Sequence, residues 1–413
     1  SFKNNTAYSG VVGFSWDGAP SGKKTNNPNN EHDRETISSH YFGYKTNEAK
    51  FTPEFPNLTT FKNINAGVYY RGTTAVFDNF KAADNGVSIF VAYNQKFTNS
   101  LIIGHSDFIT EDEKLYQMKK TNWKHGHRGV LHYKKMKGFV TYDGPAHLIN
   151  VHFAGFPEEK IFDHGFDLTP AAIHLFGGSS HYEHKFRGIS FEGSPYHKVN
   201  FNRDKWNGWM DEVNHVRLRD IDGSIYGRAN HLIVPNHPIL RDPRCEEGPV
   251  QSNTLICNYD LGVLWFRIPI TKEGKTTTKV DFIATRSDGA EYGPLEEGFR
   301  HNSKLGIIMD NHQYTVELDR SNLKVPKVLF EHQRPHLFSP VIKFTNTRAC
   351  RVKIQNRGDL TKVSSLNALR NTNKTAYFKD SQGNIHIRFK TNLRNTTNEA
   401  AHKSDTLDFV CSD

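Results

Sequence analysis

Cysteine is scarce in this chain, with four in 413 residues. None forms a Cys-x-x-Cys pair and none sits at the Cys/His spacing of a zinc module, which argues against a dithiol redox centre or a structural zinc site. Methionine, at 4, and tryptophan, at 5, are also few. Leu and Ala are sparse beside Phe, Tyr, Val, Ile, Thr, Asn and Gly, a balance that favours strands and turns over helices. A mostly β protein is expected. No apolar run approaches the roughly 20 residues of a spanning helix, so no membrane span is expected either. The opening Ser1-Phe2-Lys3-Asn4 has neither a methionine nor a signal-like apolar region, and the chain reads as incomplete at its start. Acidic residues, 44 in all, are outnumbered by 53 Lys and Arg, leaving a formal charge of +9.

The placement of the four cysteines fits two local bridges, Cys245 with Cys257 and Cys350 with Cys411. The other pairings would have to link separate domains. Each bridge would stabilise by roughly 2–5 kcal/mol through loop closure. Bridges form in oxidising compartments, so an extracellular chain, secreted or at the cell surface, is expected. Sequons at Asn4, Asn57, Asn373 and Asn395 agree with a secreted glycoprotein.

Much of the positive charge is local. Lys119, Lys120, Lys124, His125, His127, Arg128, Lys134 and Lys135 lie close together, with Trp123 and Tyr133 among them. Such a patch attracts polyanions, and its rings can stack on sugar faces. The plainer alternative is a solvated loop flanking a strand. Asp107, Glu111, Asp112 and Glu113 could offer oxygen ligands to calcium, but without EF-hand spacing and with Lys114 beside them. They also read as a solvated loop, and no other cofactor is expected. Asp220 and Asp222 read as turn caps. Trp206, Trp209 and Trp265 read as packing residues, and His147, His152 and His174 as face residues of strands. On an uninterrupted strand, His147 and His152 would point to opposite faces.

Along the first part of the chain a pattern recurs: an aromatic, a short polar turn, then Gly and an alternating run. It begins at Phe2, again at Phe61 and again at Phe80. Units about twenty residues apart, containing strands without helices, predict a right-handed parallel β-helix with Asn- and Gly-bearing corners. Further strands are expected at 73–77, 101–104, 138–142, 146–153 and 171–176, and 21–33 reads as an excursion. Leu218 to Gly227 reads as a tight hairpin turning at Asp222-Gly223. A proline-bearing stretch, Asn236 to Cys245, then breaks any ladder. Beyond it, short strands with irregular loops predict an antiparallel β-sandwich, jelly-roll-like, with a short helix at 364–370 and a hairpin turning at 381–383. The expected division is 1–235 for the solenoid, 236–258 for a disulfide-stapled junction and 259–413 for the sandwich.

The run Gly138-Phe139-Val140-Thr141-Tyr142-Asp143-Gly144-Pro145, then Arg219-Asp220-Ile221-Asp222-Gly223-Ser224, then the Pro-rich link and Cys245…Cys257, carries a resemblance. It resembles the family that contains the cell-migration-inducing hyaluronan-binding protein, the cell-surface transmembrane hyaluronidase and fibrocystin, over nearly the whole chain. The resemblance implies an extracellular β-helix followed by a β-sandwich, in proteins that bind or depolymerise hyaluronan. In that family a His-x-His strand and a glycine-rich domain lie N-terminal to the matched region. His125-Gly126-His127 has similar letters in a basic loop, so that role is not carried over. The chain therefore looks like the C-terminal half of a larger protein.

Three functions remain in view. The first is a glycan-binding portion that contacts acidic polysaccharide, such as hyaluronan, through the basic patch. The second is a lyase or hydrolase whose site is completed by a missing N-terminal half, itself a candidate partner after processing. The third is a structural or adhesive ectodomain of the fibrocystin kind. Nucleic acid fits poorly with the extracellular features.

Overall fold

The computed structural model describes residues 3–10, 12–17, 54–71, 75–92, 95–110, 136–143, 145–163, 166–167, 169–175, 183–201, 217–267, 283–292, 303–318, 327–332, 339–355, 357–390 and 402–411. These residues are mostly strand, in several sheets, so the all-β expectation holds. They form two compact units. Asn236 and Cys245–Cys257 group with the first, and His237–Arg244 with the second.

The first unit is built on two large sheets. In one, Val12–Asp17, Ala66–Arg71, Val87–Ala92, Lys137–Asp143, Ala171–Leu175 and His197–Phe201 are successive neighbours, and every pair is parallel. In the other, Gln95–Ile103, Ala146–Ala154, Glu183–Phe191 and Arg217–Asp220 follow one another, again in parallel. The shorter Thr6–Tyr8, Thr59–Phe61 and Lys81–Ala83 precede them on the same sheet. The chain alternates between the two sheets as it advances.

Corners, not aromatics, set the repeat. Asn57 and Asn79, like Asn63 and Asn85, lie 22 residues apart and are joined through their side chains. Phe61 pairs with Ala83 and not with Phe80, so the recurrence read from the aromatics is offset from the structural one. One column of left-handed residues recurs from strand to strand: Asn4 (φ 56°), Asn57 (56°), Asn79 (51°), Asn99 (50°), Asn150 (55°) and Gly188 (61°). Asparagine tolerates this backbone because its short amide bonds locally. Here the amides also chain together. Asn57 Nδ2 donates to Asn4 Oδ1 (2.8 Å), Asn79 Nδ2 to Asn57 Oδ1 (2.7 Å) and Asn150 Nδ2 to Asn99 Oδ1 (3.2 Å). Asn99 Nδ2 turns instead to Asp78 Oδ1 (2.9 Å). Between the sheets the core stacks by the same register, with Phe55 on Phe77 (4.9 Å) and Phe77 on Phe97 (4.5 Å between centroids).

The segment around Asp222-Gly223 closes this parallel run. The expected tight hairpin is absent: Arg217–Asp220 pairs antiparallel with His231–Pro235 across a longer loop. The carboxylates explain the difference. Asp220 Oδ2 accepts the Ile225 amide (2.9 Å), which curls the loop back, while Asp222 Oδ2 and Ser224 Oγ accept the amides of Gly188 (2.7 Å) and Ile189 (2.9 Å). Side chains thus take the amides that a further parallel strand would have taken. Thr254–Cys257 and Cys245–Glu247 then extend the sheet antiparallel, with Cys245 bonded to Cys257 directly across the pair.

The second unit has a seven-stranded and a six-stranded sheet. Phe344 from the latter meets Phe409 from the former at 5.1 Å. Among the described residues strand pairing is antiparallel apart from Tyr314–Glu317 beside Val341–Thr345, which run parallel, and an isolated parallel bridge joins Lys362 and Tyr377. Cys350 and Cys411 are bonded across a strand pair. The short helix appears as Leu366–Asn371, with the Ser365 hydroxyl capping the Ala368 amide (3.1 Å). Ala376–Lys379 and Ile385–Arg388 make the expected hairpin. No helix among the described residues is long and apolar enough to cross a membrane.

Candidate functional site: a cationic face on the parallel sheet

The most chemically loaded face belongs to three neighbouring strands, Gln95–Ile103, Ala146–Ala154 and Glu183–Phe191. Their core-facing residues Phe97, Leu148 and Phe186 are fully buried and lie in register. The residues on either side of each therefore face away from that core. One outward column reads Lys96, His147, Lys185 and Arg219; the next reads Thr98, Ile149 and Arg187.

Each of the three strands contains one left-handed residue, at Asn99, Asn150 and Gly188. That residue resets the alternation, so Ser100 and Ile102, Val151 and Phe153 follow on the core side. As a consequence His147 and His152 both point away from the core, one on each side of the Asn150 corner. His152 pairs with Ser190, and its Nδ1 lies 2.8 Å from Ser190 Oγ.

The charges in this region are in different states. Arg219 is neutralised: Nε and Nη2 grip both oxygens of Glu183, at 2.7 and 3.0 Å, with both side chains almost fully buried. Its Nη1 also donates to the Asn230 carbonyl (2.8 Å). Lys96, Lys185 and Arg187 make no ion pair among the described residues, and all three are partly or fully exposed. Asp78 and Glu54 stand on preceding strands of the same sheet. Asp78 is taken up by Thr98 (2.6 Å) and Asn99 (2.9 Å), and those bonds hold its carboxyl below the usual range. Just inside this face His184 is fully buried and accepts the Ala146 amide at Nδ1 (3.1 Å). Burial, followed by the neighbouring His147 and Arg217, pushes it down to about 3, so it is a neutral acceptor.

A second polar cluster lies within the second unit. Asp242 accepts from Arg244 Nε (2.7 Å) and from the Arg244 amide (2.9 Å), and meets His312 Nε2 at 2.6 Å. Arg286 grips Asp288 and donates to the carbonyls of Ile239 (2.7 Å) and Arg241 (2.8 Å). Burial opposes the charge on Asp242, but the bonds from Arg244 and His312 outweigh it and hold the carboxyl well below its usual range. The cluster binds the 237–244 segment to the strands of its own unit.

The basic patch expected at Lys119, Lys120, Trp123, Lys124, His125, His127, Arg128, Tyr133, Lys134 and Lys135 lies outside the described residues, as do Glu111, Asp112, Glu113, Trp206, Trp209 and Asn395. Asp107 is exposed, and among the described residues no group of three His, Cys, Asp or Glu side chains could hold a metal. Asn4 and Asn57 are exposed but belong to the corner column, and Asn373 is exposed beyond the short helix. Asp220 and Asp222 serve the loop that closes the parallel run. His174 is buried beside Asn200, and Trp265 is half-buried. Sequence reasoning passed over Lys96, Lys185 and Arg187. Aligning the strands on Asn99, Asn150 and Gly188 would have brought them into one group. The chain matches no family model, and no curated protein matches it.

Proposed function

We propose that this chain is an extracellular glycan-binding portion of a hyaluronan-binding or hyaluronidase-like protein, a right-handed parallel β-helix followed by a jelly-roll-like β-sandwich. The parallel pairing, the alternation between two sheets and the column of left-handed corners support the solenoid. Two sheets meeting through Phe344 and Phe409 support the sandwich. Two disulfides support an oxidising compartment.

One observation carries the binding role: Lys96, Lys185 and Arg187 share an outward sheet face without carboxylate partners among the described residues. Like charges gathered on one sheet face cost stability, and a bound polyanion relieves that cost. The ligand class is acidic polysaccharide, for which the expected 119–135 patch would be a second contact. The test is binding of the full chain to immobilised hyaluronan and to neutral dextran at rising salt. The reading requires salt-sensitive retention on the first alone. Reversing Lys124, Arg128, Lys134 and Lys135 to Glu reports the share of the patch, and unchanged binding would remove the patch from the site.

A further inference from the structure

We infer that the bound polyanion crosses the strands of this sheet, running along the direction in which strands are stacked, with its charges two strands apart. The inference rests on the polysaccharide-binding reading and adds an orientation and a charge spacing to it. Lys96 pairs with His147, and His147 pairs with Lys185, so the two lysines occupy the same column on alternate strands. Parallel neighbours lie about 4.8 Å apart, which sets the lysine stems about 9.6 Å apart. The intervening His147 is buried, so the column offers cation, recess, cation.

Its limits are built in on both sides. Beyond Lys185 the next column residue is Arg219, already neutralised by Glu183. Before Lys96 comes Val76, and before that Glu54. An extended β-linked sugar chain advances by close to one strand spacing per ring, because each ring is spanned between its two equatorial linkage oxygens. A polymer with an anionic group on every second ring would therefore place successive charges over Lys96 and Lys185. The uncharged ring between them would lie over His147. The alternative path, along a single strand, would use Lys185 and Arg187 and leave Lys96 out of contact.

Calorimetry at low salt with a hyaluronan octasaccharide, which carries a carboxylate on alternate rings, and with an uncharged β-linked oligosaccharide of equal length tests the contact, and the charge variants separate the two paths. Lys96→Ala and Lys185→Ala should each weaken the alternate-ring ligand by about five- to tenfold, the loss of one charge-assisted contact. Arg187→Ala, one column away, should weaken it by less than either lysine variant does, and Lys96→Arg should retain binding. The alternate-ring ligand should also bind the wild-type chain more tightly than the uncharged one. Unchanged melting temperatures show that the variants are folded. Loss at Arg187 with Lys96 silent would overturn the orientation, and so would equal binding of the two ligands. Should the wild-type chain bind no acidic glycan at all, the polysaccharide reading itself falls; binding that ignores both lysines removes only the path proposed here.

Discussion

Replacing His184 with Gln should remove a defined part of the acid sensitivity of the first unit. His184 is fully buried and accepts the Ala146 amide, so only the neutral ring fits: a protonated Nδ1 would face another donor. Its folded value is about 3 against an ordinary 6.5. Between those two values the unfolded chain holds a proton that the folded chain lacks. Stability therefore rises with pH through that window, at about 1.4 kcal/mol per pH unit, and the contribution levels off above about pH 6.5. Most carboxylates titrate lower, so the interval from pH 7 to pH 5 isolates histidine. Over it the wild-type first unit should lose about 2 kcal/mol through this group. Gln at 184 can still accept the amide and does not titrate. Urea unfolding followed by hydrogen exchange on strand Glu183–Phe191, at several pH values, reads the slope. Equal slopes for the wild type and His184→Gln between pH 7 and pH 5 would refute the reasoning.

Other expectations follow from the same geometry. Glu183→Ala leaves Arg219 buried without its carboxylate and should cost about 3–5 kcal/mol, read by urea unfolding, whereas the joint replacement Glu183→Leu with Arg219→Met should recover much of it. Gly188→Ala puts a methyl group against Asn150 Oδ1 at φ +61°. The left-handed backbone alone costs about 1–2 kcal/mol, so a lower melting temperature is expected, with extra loss from that contact. In the second unit, burial would raise the Asp380 carboxyl, but bonds from His386 and Asn384 hold it at about 2. Its stabilising share is present above about pH 4 and disappears as pH falls toward 2, so Asp380→Asn should flatten acid unfolding there.

How much of this was readable beforehand differs by element. Strand content, the pairing of Cys245 with Cys257 and Cys350 with Cys411, the helix at Ser365 and the hairpin after Lys379 follow from local signals: β-rich composition, cysteine placement, a capping serine and a turn sequence. The stacking of strands between Phe61 and Phe90 was also legible, though its register was not. The aromatics recur at Phe61 and Phe80, while the structural repeat follows Asn63 and Asn85, which share an amide bond just after the left-handed Lys62 and Asp84. The turn at Asp222-Gly223 looked like a short hairpin because Asp-Gly suits one. Its carboxylate is committed instead to the Gly188 amide, which is 34 residues away in the chain.

Composition determined that this protein is mostly strand, since strand and turn preferences depend on neighbours a few residues apart, and the placement of four cysteines fitted the two bridges. Which side chains share a face was decided only by tertiary structure. Lys96, His147, Lys185 and Arg219 are scattered in the chain and become one column only through strand register. Register, in turn, depends on where each left-handed asparagine or glycine resets the alternation, because one such residue exchanges the inward and outward sets for the remainder of its strand.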